Sequence, residues 1–257
     1  MIDIHSHILW GVDDGPMQME QSIAMLRLAA DSGTTDIVAS PHSNSQFRFD
    51  AELIEDKIAE LRQACGPSPR IHFGCDFHLN PENIRDAITS PARYTIDHGA
   101  YILVEFADLL IPKNTEGLFG RLRGVGIAPI ITHPERNELL SSDMDRIALW
   151  VEAGCFLQLT AYSFLGRFGD SARSACHELM RRRLVHIVAS DAHDVEFRPP
   201  VLNTAYNHVA EHYGQETADL LFVENPNAVL ASFPLDTPAE PARKPRWWSK
   251  FTCGHLF

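Results

Sequence analysis

The sequence predicts an α/β fold closed, or nearly closed, into a barrel. Short β-branched runs alternate with segments of helical period, the runs are near-continuously apolar as in a buried parallel sheet, and about seven such units follow one another. A length of 257 residues suits one (β/α) barrel, and 45% hydrophobic residues is normal for a globular chain.

Strands are expected at Ile2–His5, Asp36–Ser40, Arg70–Phe77, Ala100–Phe106, Ile127–Thr132, Cys155–Thr160 and Leu184–Ser190. Between them, Met19–Ser32 groups Ile23, Leu26 and Ala30 on one face and stops at Gly33. Ala51–Cys65 groups Leu53, Ile54, Ile58 and Leu61, with Asp50 as N-cap. Helices are also expected at Asn114–Arg123, Asp143–Ala153, Asp170–Arg183, Val201–Tyr213 and, last, Asn225–Ser232. From about Asp236 the chain turns proline-rich and charged and loses its apolar period. The expected division is therefore a folded domain over 1–234 and a flexible tail over 235–257.

Composition excludes several classes. A net charge of -12 argues against nucleic acid as the main partner. No apolar run reaches the length of a membrane span, and the amino terminus lacks a signal-peptide pattern, so a cytoplasmic protein is expected. Cys65, Cys75, Cys155, Cys176 and Cys253 are scattered without C-x-x-C spacing and read as reduced thiols.

The chemistry collects at the strand ends. The first strand ends in His5-Ser6-His7, and residues two apart in a strand share a face, so the two imidazoles converge. Asp13, Asp14 and Gly15 follow in a polar turn. Later strands end at His42, Asp76, Glu105, His133 with Glu135 and Arg136, and Asp191 with His193. In parallel α/β folds the carboxyl ends of the strands carry the site, so these residues are expected to meet. A set of nine imidazole and carboxylate candidates without cysteine (His5, His7, Asp14, His42, Asp76, Glu105, His133, Asp191, His193) suits more than one ion of Mn, Fe, Zn, Co or Mg. A carboxylate such as Asp76 or Glu105 is suited to bridge two ions, and paired divalent ions clamp an in-line displacement at phosphorus. Arg136 and Arg198, close to ligands in sequence, suit phosphate oxygens. The remaining histidines, His72, His78, His98, His177, His186, His208, His212 and His255, are expected to play no part, His78 being the nearest to a ligand. Cys176 and Arg182 match C-x5-R, but the stretch has a helical pattern and no glycine to wrap a phosphate, so the match is coincidental.

In order, MIDIHSHILWGVDDGP, ASPH, GCDF, ILVEF, IITHPER and ASDAHDVEFRPP resemble the PHP (polymerase and histidinol phosphatase) superfamily. Within it they resemble the bacterial manganese-dependent protein-tyrosine phosphatases of capsule and exopolysaccharide synthesis, over roughly Met1 to Pro234. The resemblance implies a distorted seven-stranded (β/α) barrel with three metal ions, Mn foremost. It places His5, His7 and Asp191 on one ion, Glu105 and His133 on a second with Asp76 shared, and Asp14, His42 and His193 on the third, while Arg136 and Arg198 grip the phosphate. The implied reaction is hydrolysis of phosphotyrosine in protein, with Asp14, His42 or a metal-bound water as sources of the leaving-group proton. The implied partner is a membrane tyrosine autokinase that governs polysaccharide export. The alternative enzyme is a phosphoesterase for a small monoester such as histidinol phosphate; a non-catalytic metal-stabilised scaffold is the other rival.

Three departures stand out: Trp10 where the family usually has proline, Asp76 where glutamate is usual, and SNSQFRF after His42, which lacks the usual extra histidines and glycine. In the tail, Arg243, Lys244, Arg246 and Lys250 surround Trp247, Trp248 and Phe251, a composition suited to weak contact with an anionic membrane surface.

Overall fold

Nine short β-segments, all paired in parallel, alternate with helices in a computed structural model that describes residues 1–237. In order these are β1 (Ile2–Ser6), α1 (Met19–Asp31), β2 (Asp36–Ala39), β3 (His42–Ser43), α2 (Ala51–Cys65), β4 (Arg70–Phe73), β5 (Asp76–His78) and α3 (Pro81–Thr89). Then come β6 (Tyr101–Glu105), α4 (Thr115–Gly124), β7 (Ala128–Thr132), α5 (Glu138–Ser141), α6 (Met144–Glu152), β8 (Phe156–Thr160), α7 (Ala161–Phe164) and α8 (Gly169–Arg181). The chain continues with β9 (Ile187–Ala189), α9 (Asn203–Tyr213), α10 (Gln215–Asp219) and α11 (Asn225–Leu230).

Hydrogen bonding divides the strands into two sheets, ordered β1-β2-β4 and β3-β5-β6-β7-β8-β9. The expected strand Arg70–Phe77 is broken in two, and the expected strand Asp36–Ser40 resumes after a gap as β3. The break after β2 falls at Ser40-Pro41, where proline has no N–H to give the ladder. The break between β4 and β5 falls at Gly74-Cys75; a Cβ on Gly74 would lie 2.5 Å from Val38 Cγ1, so only glycine lets the two staves pack there. Taking β2 with β3 and β4 with β5, the segments make seven staves. The ring closes where Asp191 N–H donates to His5 O at 2.9 Å and His7 N–H donates to Ala192 O at 2.8 Å. This is the distorted barrel, split rather than continuous on one side.

An inner core of Ile2, Ile4, Val38, Leu103, Ile130, Ile187 and Ala189 fills the barrel, and Val229 of α11 caps it from below. A larger cluster, with Trp150, Phe77 and Phe164 fully buried, lies between the staves and the helices. Side chains of the inner layer change from apolar to polar toward the carboxyl ends: Tyr101, Leu103, then Glu105; Ile130, then Thr132.

Helix faces are set locally. Asp50 caps α2 by accepting from Leu53 N–H, and Ile54, Ile58 and Leu61 point inward. Leu53, expected on that face, is 46% exposed instead. In α1 the buried face is Ser22, Met25, Leu26 and Ala29, one residue out of phase from the expected Ile23 and Ala30. Four helices were not among those expected: α3, α5, α7 and α10. A π-type turn at Leu220–Glu224 joins α10 to α11 just before Pro226, whose ring crowds the carbonyl four residues back.

The chain stays tied to the barrel slightly past the expected boundary. Tyr101 Oη donates to Phe233 O at 2.6 Å, and Asp236 N–H donates to Asn225 Oδ1 at 2.9 Å. The basic and aromatic tail expected over 235–257 lies, beyond residue 237, outside the described residues, as do Cys253 and His255.

Candidate metal centre

All nine expected ligands meet at the carboxyl-end mouth of the barrel. Several reach it by local devices. Ile2 and Ile4 belong to the inner core, so strict alternation would turn His5 outward; an irregularity in β1 between Asp3 and Ser6 re-aims it. His133 and Asp191, just past β7 and β9, have positive φ of 33° and 51°. Left-handed backbone costs a non-glycine residue on the order of 1–2 kcal/mol, and here it bends both side chains into the mouth. Gly15 ends the Asp13-Asp14-Gly15 turn with its Cα against the chain: a Cβ would meet His7 O at 2.3 Å.

His5 Nδ1 donates to Gln158 Oε1 at 2.9 Å and His7 Nδ1 donates to Asp13 Oδ2 at 2.7 Å. These bonds orient both rings so that the two Nε2 atoms face each other at 3.3 Å, placed to share either a proton or a metal ion. Asp191 Oδ1 lies 3.6 Å from His5 Nε2 and 3.4 Å from His7 Nε2. Asp76 Oδ2 lies 3.8 Å from His5 Nε2 and 2.9 Å from His42 Nδ1. Glu105 Oε1 lies 3.5 Å from His133 Nε2, and Asp14 Oδ1 lies 3.3 Å from both His42 Nε2 and His193 Nε2.

These contacts are close without being hydrogen bonds. Asp76 Oδ1 and Oδ2, Glu105 Oε2 and His42 Nδ1 are buried with no hydrogen-bond partner. Leaving a buried charged oxygen unpaired is expensive, so the donor set fits divalent ions. The protonation preferences agree. Burial pushes the His5 pKa down to about 3 and that of His133 to about 4, with Arg136 adding to the latter, so both rings are neutral and ready to ligate. Burial and the Glu105 carboxylate push Asp76 up to about 7. Burial opposes a charge on His7, but Asp13 outweighs it and raises His7 to about 9. Burial likewise opposes a charge on His42, which Asp14, Asp76 and Glu105 nevertheless raise. Without metal, the crowded carboxylates draw protons into the mouth; a cation would take their place.

Arg136 and Arg198 both reach Asp191 Oδ2, while the Arg136 guanidinium lies 4.3 Å from the Phe168 ring centre. A cavity of 510 Å³ opens beside them, lined by Glu105, His133, Arg136 and Leu109 among others. Glu135 turns away: its Oε1 accepts from Thr160 N–H and Ser163 Oγ–H at 2.9 and 2.7 Å, a structural role behind the site.

His78 departs from expectation. It belongs to the mouth, with Nε2 against Glu105 Oε2, and the signal that could have found it was its spacing of two from Asp76. Cys176 is fully buried inside α8, burial raises its thiol pKa, and Arg182 pairs with Glu178 and Asp145. A buried, protonated thiol without a phosphate loop is no nucleophile.

Comparisons with known proteins agree with this geometry. The family model described as capsular polysaccharide synthesis, CpsB/CapC, matches residues 1–231. The putative tyrosine-protein phosphatase CapC of Staphylococcus aureus is 35% identical over 213 residues, covering 80% of this chain and 82% of its own. The tyrosine-protein phosphatase CpsB of Streptococcus pneumoniae is 29% identical, over 90% of this chain and 98% of its own. A crystal structure from work on YwqE of Bacillus subtilis and CpsB of Streptococcus pneumoniae, described as unique metal-dependent tyrosine phosphatases, superposes with a TM-score of 0.86. It is 29% identical and covers 95% of this chain and 100% of its own. With a split parallel barrel, a histidine–carboxylate mouth and a family match over nearly all the described residues, this chain belongs to the CpsB/CapC family of capsular polysaccharide synthesis.

Proposed function

We propose that this protein is a metal-dependent phosphatase that hydrolyses phosphotyrosine in protein, on a membrane tyrosine autokinase governing polysaccharide export. The observation that carries the reading is the set of buried carboxylate and imidazole atoms without hydrogen-bond partners on β3, β5 and β6, within a ligand set drawn from six strand ends beside two arginines. Three ions, Mn foremost, are assigned to His5, His7 and Asp191; to Glu105 and His133 with Asp76 shared; and to Asp14, His42 and His193. Exposed Leu109 (93%), which lines the cavity, and its neighbour Leu110 (64%) favour a protein substrate over a small monoester such as histidinol phosphate.

Divalent ions bound there would supply Lewis acidity for the attacking water and offset charge on the phosphate oxygens. The chain's own part is positional. Asp191 holds both guanidinium groups at the mouth, where their remaining N–H groups face a phosphate. Burial opposes ionisation of Asp14, but His193 and His42 keep its carboxylate well below the usual range, so it is an acceptor rather than an acid. His42 is charged only without metal; as a ligand it would be neutral, so it would not be the proton source of the loaded enzyme. A phenol of pKa ~10 leaves with little protonation, which suits a tyrosyl ester.

Domain and tail follow the same reading: a catalytic unit over 1–234, and a segment over 235–257 that contacts anionic lipid near the kinase. Less sedimentation with anionic vesicles after removal of residues 238–257 is expected; equal sedimentation at low salt removes that role. The decisive experiment pairs elemental analysis of the purified protein with a panel of phosphotyrosyl peptide, phosphoseryl peptide and histidinol phosphate, with and without added Mn. Metal-dependent preference for phosphotyrosine is expected. Preference for histidinol phosphate would move the protein to the small-molecule class.

A further inference from the structure

Asp76 and His78 sit at either end of β5 and face the mouth, with Phe77 between them fully buried on the other side. Parallel pairing sets His42 beside Asp76 and His78 beside Glu105. Two registered pairs therefore make a square of two imidazoles and two carboxylates, one ligand atom of each lying within 4.8 Å of all the others. The His42 and His78 rings meet edge to face at 5.4 Å between centres. His78 Nε2 and Glu105 Oε2 confront each other, and both atoms are buried without a hydrogen-bond partner. An imidazole and a carboxylate facing each other beside the unpartnered oxygens of Asp76 are donor types that hold a divalent ion together.

We propose that His78 is a ligand of the ion held by Glu105, giving this centre one imidazole beyond the nine residues assigned above. The proposal rests on the metal reading of the site. His78 and His133 then give that ion two nitrogen donors beside its carboxylates, which shifts its preference from Mn and Mg toward Co and Zn.

The test uses metal-free full-length protein as wild type, His78→Ala and His78→Gln, titrated with Mn and with Co by calorimetry, with ions per chain counted by elemental analysis. Hyperfine-shifted imidazole N–H resonances are recorded on the Co-loaded forms. Glutamine still donates a hydrogen bond to Glu105 but does not replace an imidazole ligand. Both variants are expected to lose about one ion per chain or to bind the weakest ion at least tenfold less tightly, each with one imidazole resonance fewer; about 10–100-fold is the usual size of a lost supporting contact at a metal site. Restoration of stoichiometry, affinity and spectrum by His78→Gln would make His78 a positioning residue for Glu105 and overturn the proposal. So would wild-type metal binding in His78→Ala. Wild-type protein that binds no ion at all would overturn the metal reading itself, an outcome separate from either His78 result.

Discussion

The two ends of the barrel are both rich in histidine and aspartate, yet they treat them differently. At the amino-end foot, Asp36 at the start of β2 accepts from Arg70 Nε and Nη2 at 2.6 and 2.9 Å, from His72 at 3.0 Å and from Thr35 at 2.8 Å. His72 in turn donates to Asp97 at 2.6 Å, whose other oxygen accepts from Phe73 N–H at 3.0 Å. Every charge there has a protein partner. At the mouth, Asp76 has two buried oxygens and no hydrogen bond, and four more carboxylates crowd around it. Buried polar groups in native proteins are satisfied with few exceptions, so a concentration of exceptions marks where something other than protein completes the structure. Charge content alone does not separate foot from mouth; partner accounting does.

The sharpest way to break this contrast is to cut one residue at each end. His133→Ala or Asp191→Ala should lower aryl phosphate hydrolysis by orders of magnitude and reduce bound metal, as chelation should in the wild type. Asp36→Asn should instead lower the melting temperature, by an amount reflecting about 1–3 kcal/mol, with metal per folded chain unchanged. Metal loss in Asp36→Asn and none in Asp191→Ala would reverse the assignment of the two ends.

Next come the arginines at the mouth. Arg136→Ala and Arg198→Ala should each cost roughly 2–4 kcal/mol of transition-state stabilisation, by analogy with losing one oxyanion donor. Because both also touch Asp191, metal content is the control: kinetics that fall with full metal support phosphate binding, and metal lost in step with activity would make them structural.

The foot has its own pH signature. Burial holds the His186 pKa near 4, below an unfolded value of about 6.5, and its Nδ1 accepts from Leu157 N–H at 3.3 Å. Between those values the unfolded chain binds the extra proton, so this contribution is complete above pH 6.5 and is lost as pH falls toward 4, roughly 3 kcal/mol in all. In metal-free protein, His186→Gln should flatten the stability curve across that window relative to wild type. Parallel curves would show that His186 does not titrate as its burial demands. The smallest effect is expected between the two ends: Cys176→Ser, in the helix layer, should keep turnover within a few-fold.

Residue types and periods were enough to predict an α/β barrel, to pick out His5, His7, Asp14, His42, Asp76, Glu105, His133, Asp191 and His193, and to dismiss Cys176. Those are local properties: strand period and side-chain chemistry are written in a few neighbouring residues. Strand register and the contacts that close the ring were not legible, because they depend on partners far away in the chain. Only the folded barrel shows the split at Pro41 and Gly74, the irregularity that turns His5 inward and the positive φ that aims His133 and Asp191. The same holds for His78, whose spacing of two from Asp76 was only a hint until pairing with β6 set it opposite Glu105. A sequence states which side chains can bind; which of them share a cavity is decided by non-local hydrogen bonds between staves, and by the burial that strips those side chains of water.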